Sequence, residues 1–194
     1  MALRGTASAP GLTGTSHTIN VGAIGIQPRD LILLCGTWTY TTSDPTPTWP
    51  SGFNPINGLA DTALGGTGCW TGIVCKTAGP SEPSSYTVTT SASRIGSLQC
   101  RVYSGRSGVF TAVSSQPVTT VGAAPANYSI AGLTATAGDD VCCFIENSLG
   151  ATPGTETFSP SAGFGNALLT NVNGNQTPPI TSQDASTSQP VRRA

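Results

Sequence analysis

Charge is what this chain has least of. Lys, Arg, Asp and Glu together make up 9% of its 194 residues, against about 25% in typical soluble domains. The formal net charge is -1, and the only basic run is the terminal pair Arg192 and Arg193. A groove for the phosphate backbone of nucleic acid needs a basic stripe, so no nucleic-acid partner is expected. There is one histidine, His17, and one lysine, Lys76. No apolar run approaches the roughly 18 residues that span a bilayer, so no membrane partner is expected. The start, Met1-Ala2-Leu3-Arg4-Gly5-Thr6, lacks the apolar stretch of a secretion signal, which gives the expectation of a protein made in the cytoplasm of its host.

The same scarcity thins the catalytic possibilities. A Ser-His-Asp triad would have to use His17, in the polar stretch Thr15-Ser16-His17-Thr18. A carboxylate pair flanking a cleft is the other acid/base route. Of the nine acidic residues, Asp30 and Asp139 read as turn formers, and Asp44, Glu82 and Asp184 fall in loops. Asp139 and Asp140 are adjacent, but neighbours on a strand diverge. Lys76 follows Ile73-Val74-Cys75 and reads as a solvated strand end. No calcium loop, phosphate-binding glycine loop or C-x-x-C pair is present. The expectation is a non-enzyme, with no catalytic residue, no cofactor and no metal.

Thr, Ser, Gly, Asn and Pro take the place of the missing charge. These residues suit strands and turns and make poor helices. A small, neutral polar surface also costs less to desolvate under a partner than one carrying long charged side chains. Strand-like runs fall near residues 17–22, 30–40, 68–77, 86–91, 96–104, 110–119, 127–131, 139–147 and 166–172, separated by Gly/Pro/Ser/Asp clusters. Residues 57–68 read as a loop, and no stretch carries a helical stripe. Residues 1–16 read as an N-terminal arm, residues 17–174 as one β-domain, and residues 175–194 as a polar C-terminal tail. The six cysteines sit in strand-like apolar runs or beside them, and read mainly as buried thiols; one bridge through Cys69 or Cys75 stays open.

A weak internal repeat runs through the domain. An offset of 109 residues relates Ile19 to Tyr128, Val21 to Ile130, Ile24 to Leu133 and Asp30 to Asp139. Each copy reads as a strand, a wide turn closed by aspartate, and a buried strand. A Pro/Gly corner with two aromatics follows, Trp49 and Phe53 in the first copy and Phe158 and Phe164 in the second. The carboxylates of Asp30 and Asp139 are expected to accept from backbone N–H groups two residues on. Two such halves predict an all-β, antiparallel, jelly-roll-like β-sandwich with extended arms at both ends. Trp38, Tyr40, Trp49 and Trp70 are the candidate contact aromatics, for core packing, a subunit interface or a host-surface glycan.

Several strings resemble a recurring pattern. They are Gln27-Pro28-Arg29-Asp30-Leu31-Ile32-Leu33-Leu34-Cys35, Trp49-Pro50-Ser51-Gly52-Phe53, the stretch from Lys76 through Glu82, Pro83 and Tyr86 to Thr89, and Val102-Tyr103-Ser104-Gly105. In order and spacing they are similar to small virion proteins of tailed bacteriophages and to prophage-encoded proteins, over roughly residues 17–150. Phe53 stands where that pattern usually has Trp, and Arg29 where it has a turn glycine, which Gly138 restores in the second copy. The resemblance implies a jelly-roll or lectin-like sandwich and supplies no catalytic residues. The functional expectation is a capsid decoration or cement protein on the outer surface of the virion. It would bridge capsomers and take the major capsid protein and copies of itself as partners, a homo-oligomer whose arms order against neighbours. The rival expectation is a tail-fibre or spike receptor-binding domain that uses exposed aromatics on glycan.

Overall fold

The computed structural model describes residues 2–39, 46–56, 62–63, 69–104, 140–146, 165–170 and 180–186. They form an all-β, antiparallel structure with no α-helix among the described residues. The larger sheet holds β1 (Ala2–Asn20), β2 (Leu31–Thr39), β3 (Pro47–Thr48), β4 (Asn54–Pro55), β5 (Thr62–Ala63), β6 (Cys69–Thr77) and β7 (Ser85–Ser104). Its order is β1-β7-β2-β6-β4, with β3 paired to β7 and β5 to β6. A second sheet of three strands places β10 (Ile180–Ser186) between β8 (Asp140–Glu146) and β9 (Gly165–Thr170).

The run Leu31-Ile32-Leu33-Leu34-Cys35 has no polar alternation because β2 is buried on both faces. Ile32, Leu34 and Trp38 join Trp70, Val74, Tyr86, Val88, Leu98, Cys100 and Val102 in one cluster. Leu31 and Leu33 face the other way, against Ile56, Cys75 and Tyr103. The period of two along each strand sorts the side chains between these two clusters. Cys75 and Cys100 are buried free thiols, Cys35 is buried on β2, and burial pushes the Cys100 thiol up to about 12. Cys75, left open above as a bridge partner, is therefore unbridged.

Trp38 occupies the centre of the first cluster and is fully buried. Its ring lies along the sheet above Gly36 and Gly96, and a Cβ at either glycine would overlap the indole. The two glycines are the floor on which the largest buried side chain rests.

Four sequence expectations change. Residues 2–16, read as an arm, form most of β1 and pair with β7 along its outer edge. Strand pairing is made by backbone groups, so a run of Ala, Thr, Ser and Gly joins a sheet without apolar alternation. Ala7, Ala9 and Leu12 also pack against the main cluster. At the other end, residues 180–186 of the expected polar tail are the central strand of the second sheet. The runs near 86–91 and 96–104 are one strand, β7, because residues 92–95 stay extended between them. Within the expected loop 57–68, Thr62 and Ala63 pair with Thr71 and Trp70. The expected strands at 110–119 and 127–131, and Asp139 with the rest of the second repeat copy up to that point, lie outside the described residues.

The packing of Trp38 gives a direct test. Gly96→Ala should cost about 2 kcal/mol in denaturant unfolding, from overpacking against a ring that has nowhere to move. The variant's tryptophan emission should change with it; unaltered stability and emission would mean that the ring does not lie where the geometry puts it.

Candidate functional site

The densest chemistry among the described residues gathers at two neighbouring turns, each built around one carboxylate. The first leads into β2. Arg29 there has φ +71°, the left-handed region that favours glycine. The Asp30 N–H donates to the Gln27 carbonyl at 3.1 Å, and the Gln27 N–H donates back to the Asp30 carboxylate at 2.8 Å. Asp30 therefore closes its turn by accepting from three residues earlier, rather than from two residues on as the sequence suggested. The fold-back follows from the tight turn, which carries the carboxylate over the chain that precedes it. The guanidinium of Arg4, on β1, completes the arrangement with an ion pair to the same carboxylate.

The second turn joins β6 to β7. The Glu82 carboxylate accepts from Lys76 Nζ at 2.8 Å, from the Gly79 N–H at 2.7 Å and from the Tyr86 hydroxyl at 2.7 Å. Burial alone pushes the Glu82 carboxyl upward. The three hydrogen bonds and the Lys76 charge outweigh that and hold it below the ordinary carboxylate range. Tyr86 moves the other way: burial first, then the Glu82 carboxylate, raise its phenol well above the usual tyrosine value. Lys76 Nζ lies 5.4 Å from the Phe53 ring centre and 5.7 Å from that of Tyr86, and the two rings meet edge to face at 5.0 Å. Lys76 is thus a half-buried partner of Glu82 rather than a solvated strand end, and Glu82 is an anchor rather than a loose loop residue.

Backbone bonds stitch the two turns together. The Arg29 N–H donates to the Ala78 carbonyl at 2.9 Å, and the Ala78 N–H returns to the Asp30 carbonyl at 2.7 Å. Asp30 and Glu82 are the carboxylates whose side chains the structure describes, and each is saturated by its own turn and a cation. Neither offers a free oxygen pair for acid/base work. No group of three or more His, Cys, Asp and Glu able to hold a metal occurs among the described residues. No described helix is long and apolar enough to cross a membrane.

The structure brings Trp38, Trp49 and Trp70 together. Trp49 meets the Trp38 ring at 5.7 Å and Trp70 meets it at 5.5 Å. Trp38 is 0% exposed and Trp70 3%, so neither can stack on a sugar, and of the roles offered by the sequence both take core packing. Trp49 is half-buried against the same cluster, while Tyr40 lies outside the described residues. His17, read in sequence as lying in a polar stretch at the edge of the arm, is buried, 5.9 Å from Trp38 and 3.4 Å from the Thr90 hydroxyl. Desolvation lowers its pKa from the ordinary 6.5, with the Gly14 backbone working in the opposite direction. The signal for the Glu82 hub was present in the spacing of Lys76, Glu82 and Tyr86 around a single tight loop. His17 carried one signal: Ile19, two residues on, is apolar and faces the same way.

Comparison with protein-family models, with characterised proteins and with solved structures yields no match for this chain.

Two predictions follow from buried ionisable groups. Glu82→Gln strands Lys76 and should destabilise the protein by about 3 kcal/mol in urea or guanidinium unfolding, and a loss under half of that would remove Glu82 from its anchoring role. His17 separates from it by pH window. A histidine whose folded pKa is depressed favours the native state fully above the unfolded value of 6.5, and that contribution falls as pH drops below it. The denaturation midpoint should therefore decline between about pH 7.5 and about pH 5.5. His17→Gln should flatten the decline; an unchanged slope in that variant would assign the pH dependence elsewhere. Glu82 contributes only below that window, since its stabilisation is lost as pH falls past the ordinary 4.5 toward its lower folded value.

Proposed function

We propose that this chain is a non-enzymatic structural protein of a tailed-phage virion, a decoration or cement protein that sits on the outer head shell and bridges capsomers. Its partners are the major capsid protein and copies of itself, and it is made in the cytoplasm of the bacterial host. In this reading the two sheets are layers of a jelly-roll-like sandwich, which the double-sided burial of β2 supports.

The observation that carries the proposal is the character of the exposed ribbon formed by β1 and β7. Its outward side chains include Ser16, Thr18, Asn20, Thr87, Thr89 and Ser91, a neutral row of hydroxyls and one amide. Thr18 and Thr87 meet across the strands at 2.8 Å, so the row is ordered by its own cross-strand bonding. The described carboxylates are turned inward into ion pairs, and Arg101 is fully buried. Such a face loses little solvation when covered, which suits weak contacts multiplied by the symmetry of a shell. The strings that resemble phage virion proteins support the same reading, since Phe53, Lys76, Glu82 and Tyr86 from them assemble into one structural cluster. The burial of Trp38 and Trp70 weighs against the receptor-binding alternative.

Co-sedimentation with empty heads of the phage that encodes the protein tests the proposal, with host cells in parallel. The expected result is saturable binding to heads at a fixed copy number, weakened about ten-fold or more by Thr87→Glu, which puts a charge on the neutral row without touching the core. Binding to cells but not to heads would overturn it in favour of receptor recognition.

A further inference from the structure

We propose that residues 2–14 of β1 exchange between copies of this chain, each copy laying its segment along residues 94–104 of a neighbour's β7. The inference concerns the purified chain alone and stands whether or not the shell reading does.

β1 is two strands in one. Ser16 to Asn20 pair with Thr89 to Ser85, and Ala2 to Gly14 pair with Ser104 to Arg94. Between Gly14 and Ser16 the ladder breaks, and the partner position jumps from Arg94 to Thr89. Thr90 of the skipped stretch has no β1 partner and pairs with Pro47 of β3 on the opposite edge of β7. The two halves also differ in what they bury. His17 and Ile19 are both fully buried, whereas no residue from Ala2 to Ser16 is. The first half is thus held by its backbone pairing, by half-buried Leu3, Ala7, Ala9 and Leu12, and by the Arg4–Asp30 ion pair.

The junction is built to bend. Gly14 has φ +125° and Gly11 φ +65°, and further register shifts fall between Leu3 and Gly5 and between Ala9 and Leu12. Release of the segment would leave the outer edge of β7 without a partner along a stretch whose Leu98, Gln99, Cys100, Arg101 and Val102 are all buried. That edge demands a strand of one specific register. The strand that fits it without any new contact is the same segment of another copy, which also carries its own Arg4 to the neighbour's Asp30. Exchange of an identical element is a low-cost route to assembly, because every closed contact is remade and only the hinge changes. Strand addition to the outer edge of β1, which pairs with no other strand among the described residues, is the less favourable alternative, since Pro10 and the register shifts interrupt that edge.

A disulfide trap in the full-length protein decides the matter. Ala2 lies opposite Ser104, whose hydroxyl donates to the Ala2 carbonyl at 3.3 Å, so A2C/S104C bridges whichever strands are paired. Ala7→Cys, opposite the native Cys100, is a second trap that needs one substitution. Two mass-tagged preparations are mixed, taken through a refolding step at dilute and at high protein concentration, and oxidised. Expected are cross-tag disulfides at high concentration that give way to intrachain bridges on dilution. Gly14→Val removes the residue type that tolerates φ +125° and should raise the dimer-to-monomer ratio about ten-fold in either trap. Bridges that stay within single chains at every concentration, in both traps and with Gly14→Val added, would overturn the proposal.

Discussion

One strand sets the terms for the rest of the molecule. β7 is bonded along one edge to β1 and along the other to β2, so its backbone groups are committed on both sides. From Gly96 to Tyr103 it is also buried on both faces. Polar side chains are costly to bury in such a strand unless they find partners inside. Arg101 shows how this is met: it is fully buried, its Nε donates to the Tyr103 hydroxyl at 2.9 Å, and the guanidinium lies 6.0 Å from the same ring. Residues two apart on a strand share a face, which makes this pairing available at no topological cost.

Around that strand, nearly every distinctive residue is spent on architecture. Gly36 and Gly96 make room for Trp38, and Trp38 in turn seats Trp49, Trp70 and His17. Asp30 and Glu82 follow one design, in which a carboxylate accepts from the backbone three residues earlier and from a cation held on a strand of the same sheet. Through the paired backbone bonds between Ala78 and residues 29–30, the two turns brace each other and fix one end of the large sheet. Chemistry of this kind leaves a neutral, hydroxyl-rich row along the exposed face of β1 and β7, and it is this row on which the proposed structural role rests.

Much of the central sheet was legible in the sequence, and the reason is periodicity. β2 announced itself by Leu31-Ile32-Leu33-Leu34, and β6 by Ile73-Val74-Cys75 between polar flanks. The outer strand β1 and the central strand of the second sheet were not legible. Residues 2–16 and 180–186 pair through backbone atoms while their side chains are small or polar, so hydropathy is silent about them. Of the aromatic candidates, Trp38 and Trp70 take the core-packing role that the sequence offered beside interface and glycan contact; the two glycines beneath the Trp38 ring show how the indole comes to lie flat and covered. The Glu82 hub was legible only in its local part. Lys76, Gly79, Glu82 and Tyr86 lie close in sequence, yet Phe53 reaches them from another loop, and a long-range contact leaves no local trace.

The measurement that tests the account most directly is native-state hydrogen exchange resolved along β7. If β7 is the fixed element and the first half of β1 a separable cover, amides of residues 96–103 directed toward β2 will exchange only with global unfolding. Those directed toward residues 2–9 will exchange faster, through a smaller opening with a weaker denaturant dependence. Equal protection on both edges would contradict the account, because it would make the whole of β1 as integral to the sheet as β2.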